Sequence, residues 1–264
     1  MTPRNAAAPR PQAPDPSPSS AESPALPALR LASPLPAIAP PRGVVDGVPA
    51  TDASPGRYSR AGEIVKDVVD RLLAAVGLVI VSPLLLAVAI AIRLDSRGPA
   101  LFRQVRVGRN GRPFTFYKYR GMYVDARERF PELYDYSYTN EEIRSLHFHS
   151  ERDPRVTRVG RFIRRTSLDE LPNLINVVLG DMSLVGPRPE IPELIGYYGP
   201  AAVVVLSVRP GITSLAKLVG RDHLTFEETL ELDLQYVRTR SLALDVRILV
   251  GTVFLVLTGR SPGF

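Results

Sequence analysis

Cysteine is missing from all 264 residues, which excludes disulfides, thiolate nucleophiles and cysteine-ligated zinc, and with them a secreted scaffold held by cross-links. Histidine is scarce, with three in the chain. His147 and His149 form the only close pair; with no further ligands in view, two histidines on one side of a short strand read as solvated surface. The chemistry falls to oxygen groups, lysine and arginine. These two cations outnumber Asp and Glu by 33 to 27, and the net charge of +6 favours polyanionic partners: nucleic acid, anionic headgroups or phosphorylated small molecules. An apolar content of 45% is enough to build a core.

Regular hydrogen bonding is excluded first where proline gathers. Residues 1–56 hold more than half of the chain's 26 prolines among alanine and serine, so residues 1–58 read as an extended, mobile tail. The tail lacks an uninterrupted apolar run beside a basic start, so it is not read as a signal peptide, and the amino terminus is expected in the cytoplasm.

Charge is missing from residues 72–92, bracketed by Arg71 and Arg93. That length matches a bilayer core of about 30 Å at about 1.5 Å per helical residue, so residues 59–98 form the membrane segment. Its middle holds Ser82-Pro83, where the missing backbone donor predicts a kink or break over residues 79–82. Lys66 and Arg71 precede the apolar run and Arg93 and Arg97 follow it, so loop charge gives no orientation. A re-entrant helical hairpin and a kinked transmembrane helix both fit, with a buried soluble helix third.

Acid is nearly missing from residues 93–120, where eight basic residues (Arg93, Arg97, Arg103, Arg106, Arg109, Arg112, Lys118, Arg120) face one acid, Asp95. The same stretch alternates around Asn110-Gly111 and predicts a β-hairpin. Residues 125–153 read as a helix and a mobile surface loop. The apolar C-terminal stretch "SLALDVRILVGTVFLVLTGR" reads as a core or membrane-surface helix. With the 99–264 remainder, the fold class is mixed α/β.

Between these lies "RRTSLDELPNL", residues 164–174, with two adjacent carboxylates. As structure, Ser167 and Glu170 have capping-box spacing, and Asp169 suits the positive end of a helix dipole. Pro172 argues for a helix that starts at Asp169 instead, within the turn that tolerates a missing donor. As chemistry, a helix N-terminus beside Arg164 and Arg165 can bind phosphate, an ionised aspartate can attack phosphorus, and the neighbouring carboxylate can hold magnesium. Arg188 in "GPRP" and Arg209 in "RPGIT" offer guanidinium groups for phosphate, stiffened by proline. Arg155, Arg158, Arg161 and Arg164 recur every third residue, on one drifting face of a helix.

Taken in order, "KDVVDR", Ser82-Pro83, "FRQVRVGRNGRPFTFYKYRGM", "RRTSLDELPNLINVVLGDMSLVGPRPE" and "VRPGIT" resemble the bacterial sugar transferase family, the small monotopic phosphoglycosyl transferases. The resemblance runs from about residue 64 to the C-terminus. It implies a compact enzyme with amphipathic surface helices, resting on the cytoplasmic leaflet of the inner membrane through a re-entrant helix broken at Ser82-Pro83. It further implies transfer of a sugar phosphate from a UDP-sugar to undecaprenyl phosphate with release of UMP, the initiating step of surface glycan assembly. Carried over by position, Asp169 matches the nucleophile that takes the phosphosugar, and Glu170, with Asp169, the magnesium site. Arg164, Pro187, Arg188 and Pro189 match phosphate-binding positions, and Lys118 and Arg120 the basic end of the hairpin. Asp67, Gly121, Ser214 and Lys217 depart from the family's pattern. Two other readings compete: a basic nucleic-acid-binding protein, which leaves the apolar span without a purpose, and an inactive membrane scaffold. The membrane enzyme would bind lipids and no nucleic acid; whether it forms a homodimer is open.

Overall fold

A computed structural model describes residues 58–147, 153–220 and 223–258, all within one compact unit, Ile38–Phe264. The proline-rich tail expected over residues 1–58 lies, but for Tyr58, outside the described residues, as do His149 and part of the loop expected before residue 153.

Ser59 starts the first helix by accepting the Gly62 N–H at 3.1 Å, and α1 then runs from Arg60 to Asp95. The break expected at Ser82-Pro83 is absent: the backbone stays helical across both residues. Pro83 has no N–H for the Val79 carbonyl four residues back, and the Ser82 hydroxyl donates to that oxygen instead, at 2.8 Å. The helix is long and apolar enough to cross a membrane, at about 1.5 Å per residue for 36 residues. Val79 and Ile80 are more than 70% exposed.

Two footholds attach α1 to the rest of the unit. Near its start, Ala74 packs with Phe116, Val177 and Met182. Here Lys66 bridges Asp70 (3.1 Å) and Asp245 (2.7 Å), while Ser183 donates to Asp70 and the Tyr58 and Tyr236 hydroxyls donate to Asp245. Near its end, Val88 and Ile92 pack with Tyr119 and Ile163, and the Tyr119 hydroxyl donates to the Leu85 carbonyl at 2.6 Å.

Strands β1 (Leu101–Val107) and β2 (Pro113–Tyr119) form the expected antiparallel hairpin, from Leu101 opposite Tyr119 to Val107 opposite Pro113. Asn110 and Gly111 both take positive φ in the turn, as an Asn-Gly pair allows. Short helices α2 (Ala126–Arg129) and α3 (Asn140–Arg144) lead to α4 (Arg158–Arg165), whose second residue donates its N–H to Asp95 at 3.1 Å. After α5 (Leu174–Leu179) comes β3 (Ser183–Val185), then α6 (Pro192–Ile195) and α7 (Ala201–Val205). Strand β4 (Gly211–Thr213) pairs with β3 in parallel, Ser183 opposite Gly211. Helices α8 (Leu215–Val219), α9 (Phe226–Thr239) and α10 (Leu242–Thr258) close the unit. Among the described residues the sheets are these two pairs, so the mixed α/β class holds with helix dominant. Tyr236, Val237, Leu218 and Ile248 bury the join between α8, α9, α10 and β3.

Candidate active site

The carboxylate pair is presented by an irregular turn. Helix α4 ends at Arg165, Ser167 turns into the left-handed region (φ 57), and a 3₁₀ turn carries Leu168–Asn173. Neither structural reading of the stretch holds: no α-helix starts at Asp169, and the capping box that the Ser167 and Glu170 spacing allows does not form. It needs an extended residue at the cap, and Ser167 is left-handed and makes no capping hydrogen bond through its side chain. Pro172 has no N–H to extend an α-helical ladder, and regular helix resumes at Leu174.

This turn forms one wall of a cavity of about 710 Å³. Arg164 lines it from α4, Arg106 and Lys118 from the hairpin, Arg188 and Pro189 from the loop after β3, and Lys217 from α8. Register explains the hairpin's share. Arg106 and Gln104 lie opposite Phe114 and Phe116, on the face that also holds Lys118 and Phe102. Lys118 stands 5.5 Å over the Phe102 ring, and Arg106 5.3 Å over Phe116 while donating to the Pro189 carbonyl at 3.0 Å. The loops "VGPRP" and "RPGIT" meet backbone to backbone. Gly186 N–H donates to the Thr213 carbonyl and Gly211 N–H to that of Pro187, and a Cβ on Gly211 would lie 2.1 Å from the Gly186 nitrogen.

Charge is balanced tightly across the cavity. Burial and then the Glu170 charge push Asp169 up to about 6, against the pull of Lys118, Lys217 and Arg164. Burial would raise Glu170 too, but its ion pair with Lys217, then Arg188, outweighs this and holds it at about 2. Burial and then Arg106 bring Lys118 down to about 8, with Asp169 opposing. Behind the wall, Asp233 accepts the Arg188 N–H at 3.3 Å, and burial lifts its pKa well above the usual carboxylate range.

Of the residues singled out in the sequence, Asp169, Glu170, Arg164, Arg188, Pro189 and Lys118 come together here, and Arg165, Ser214 and Lys217 line the same cavity. Three do not reach the cavity. Pro187 is buried and works through its carbonyl on Gly211. Arg120 is spent on structure: its guanidinium donates to the carbonyls of Pro99 and Ser96 and to the Ser96 hydroxyl, tying the hairpin's end to the end of α1. Arg209 pairs with Asp67 of α1. That pair gives the unusual Asp67 a partner. Next to the unusual Gly121, α4 passes so close that a Cβ on Gly160 would lie 1.9 Å from the Gly121 carbonyl oxygen, whereas the nearest atom to a Cβ on Gly121 would be in the Arg164 side chain, at 3.2 Å. His147 joins a single bridge with Thr225.

Sequence reasoning missed Arg106, whose alternation with Lys118 across the Asn-Gly turn was the available signal, and Asn173. Asn173 is 1% exposed, lines the cavity, and its Oδ1 has no hydrogen-bond partner among the described residues. Those residues hold no cluster of three or more His, Cys, Asp or Glu. A cation here would draw on two carboxylates and the Asn173 oxygen, an all-oxygen set of the kind a hard divalent ion takes.

Residues 61–259 match the family described as bacterial sugar transferase. The chain is 42% identical over 203 residues to the galactosyl transferase CpsE of Streptococcus agalactiae serotype III, covering 76% of this chain and 44% of that protein. It is 42% identical over 209 residues to the UDP-glucose:undecaprenyl-phosphate glucose-1-phosphate transferase of Caulobacter vibrioides, covering 75% and 72%. To the exopolysaccharide production protein ExoY of Rhizobium meliloti it is 35% identical over 205 residues, covering 78% and 91%. The matched stretch thus spans less than half of CpsE and most of the other two.

Proposed function

This chain belongs to the bacterial sugar transferase family, and from that premise we propose that it transfers a sugar 1-phosphate from a UDP-sugar to undecaprenyl phosphate, releasing UMP, as the first step of a surface glycan. The observation that carries this reading is the Asp169-Glu170 pair on a cavity wall facing Lys118, Arg164 and Arg188. The substrates are anions, and so is the nucleophile. A cavity with several guanidinium and ammonium groups around one carboxylate pair offsets that repulsion.

In the first step a carboxylate oxygen of Asp169 attacks the phosphorus that bears the sugar. The bridging P–O bond breaks, UMP leaves with the bridging oxygen, and the phosphosugar stays on Asp169 as an acyl phosphate. In the second, an oxygen of undecaprenyl phosphate attacks the same phosphorus and the Asp169 carboxylate departs. Asp169, with its pKa near 6, is mostly ionised at neutral pH, as a nucleophile requires. Arg188 is held by the backbone bond from its N–H to Asp233, and Arg164 by its place on α4. Magnesium, with Glu170, Asp169 and the Asn173 oxygen as donors, would supply charge neutralisation at the diphosphate. The exposed apolar face of α1 favours residence in lipid, with the site on the cytoplasmic side where nucleotide sugars are made.

The test is UMP release from a panel of UDP-sugars by detergent-purified protein with magnesium and undecaprenyl phosphate. Asp169→Asn is expected to lower turnover by at least about 10³-fold without lowering thermal stability, since burial and Glu170 already disfavour the ionised Asp169. Equal release by wild type and variant would remove Asp169 as nucleophile.

A further inference from the structure

The cavity already holds a cation of the chain's own at the carboxylate that a metal would use. Lys217 Nζ is ion-paired with Glu170 Oε2, with side-chain exposures of 17% and 21%. Its backbone is fixed in turn. Ser214 caps α8 by accepting the Lys217 N–H at 3.0 Å, and Ser214 follows directly on β4, whose pairing with β3 sets where α8 begins. The ammonium is therefore aimed at Glu170 by the same strands that position Arg188.

We infer that Lys217 is a built-in competitor for the divalent cation: it occupies Glu170 in the metal-free protein and must be displaced before a metal binds there. The inference rests on the proposed role of Glu170 as a metal ligand. An ammonium and a hard divalent ion both seek the carboxylate's lone pairs, and held together at one carboxylate they repel each other. The competitor's price is weaker metal binding, so this chain should need more divalent cation than a version in which position 217 is neutral. The other cations on the cavity wall act differently. Arg161 lines the cavity from the exposed side of α4, and contributes to the general field without sitting on Glu170.

The experiment measures Mn²⁺ binding to the full chain in detergent micelles, by the loss of the free-ion electron paramagnetic resonance signal. Wild type is compared with Lys217→Gln, Lys217→Arg, Arg161→Gln and Glu170→Gln, each first checked for native circular dichroism; Lys217→Met serves if the glutamine variant does not fold. Lys217→Gln is expected to bind Mn²⁺ on the order of tenfold more tightly, Lys217→Arg to stay near wild type and Arg161→Gln to change by less than about twofold. Unchanged or weaker binding by Lys217→Gln overturns the proposal, and so does an equal gain in Arg161→Gln, which would mark a field effect only. If no Mn²⁺ binding depends on Glu170 in any variant, the metal site falls and the competition with it, and UMP release then reads the transfer reaction separately.

Discussion

Lys118 is a cavity residue whose ionisation is set by its surroundings. It lies opposite Phe102, on the hairpin face that also carries Arg106, and burial brings its pKa to about 8. In the proposed role of phosphate contact it would work only while charged, so the KM for the nucleotide sugar should rise as pH passes about 8, with kcat less affected. Unfolding predicts a different pattern. Burial disfavours the charged lysine, so between about pH 8 and its ordinary value near 10.4 the unfolded chain binds the extra proton, and this group's contribution to stability rises with pH. A KM that climbs with pH while this lysine's contribution to stability rises is therefore the expected signature. Lys118→Arg, which keeps its charge across that range, should flatten the rise. A wild-type KM constant from pH 7 to 9.5 would show that Lys118 does not contact the substrate.

At the scale of elements, the close meeting of "VGPRP" and "RPGIT" makes a prediction that local conformation does not. Gly211 has an ordinary φ, yet a Cβ there would strike the Gly186 nitrogen at 2.1 Å. Gly211→Ala should cost about 3 kcal/mol in thermal unfolding and impair turnover, because it pushes apart the loops that carry Arg188 and lead to Lys217. Gly111 is the contrast: its φ is +74 but a Cβ there meets nothing within 4 Å, so Gly111→Ala should cost only about 1 kcal/mol and spare turnover. The same distinction separates what the sequence made legible from what it did not. The hairpin was readable because strand alternation and the Asn-Gly turn are local. The carboxylate pair and Arg164 were readable because they lie within seven consecutive residues. Arg120 and Arg209 look equally suited to phosphate on paper, but their partners are chosen in three dimensions, Asp67 lying 142 residues from Arg209. The helix through Pro83 was misread because proline's lost hydrogen bond was counted and the Ser82 hydroxyl that replaces it was not.

At the scale of the molecule, the question is what keeps a long apolar helix registered against the cavity that holds the carboxylate pair. Between its two footholds, residues 75–87 of α1 contain no buried residue, so its attachment depends on few groups. Lys66 is central, because it bridges two carboxylates that are themselves almost fully enclosed, Asp70 at 5% and Asp245 at 3% exposure. Removing its charge leaves both acids buried with only hydroxyl and backbone donors. Lys66→Met should therefore lower stability by about 3 to 5 kcal/mol, read as thermal unfolding in detergent. Adding Asp70→Asn and Asp245→Asn to it should recover part of the loss, since the penalty lies in the uncompensated charges and not in the missing bridge. Membrane partition should not follow. The apolar face of α1 is unchanged in every variant, so each should stay with the membrane fraction through a high-salt wash and leave only with detergent. Salt release of the wild type would instead place α1 outside the bilayer, and a melting temperature unmoved by Lys66→Met would mean that apolar packing at Ala74, Val88 and Ile92 alone holds the helix in register.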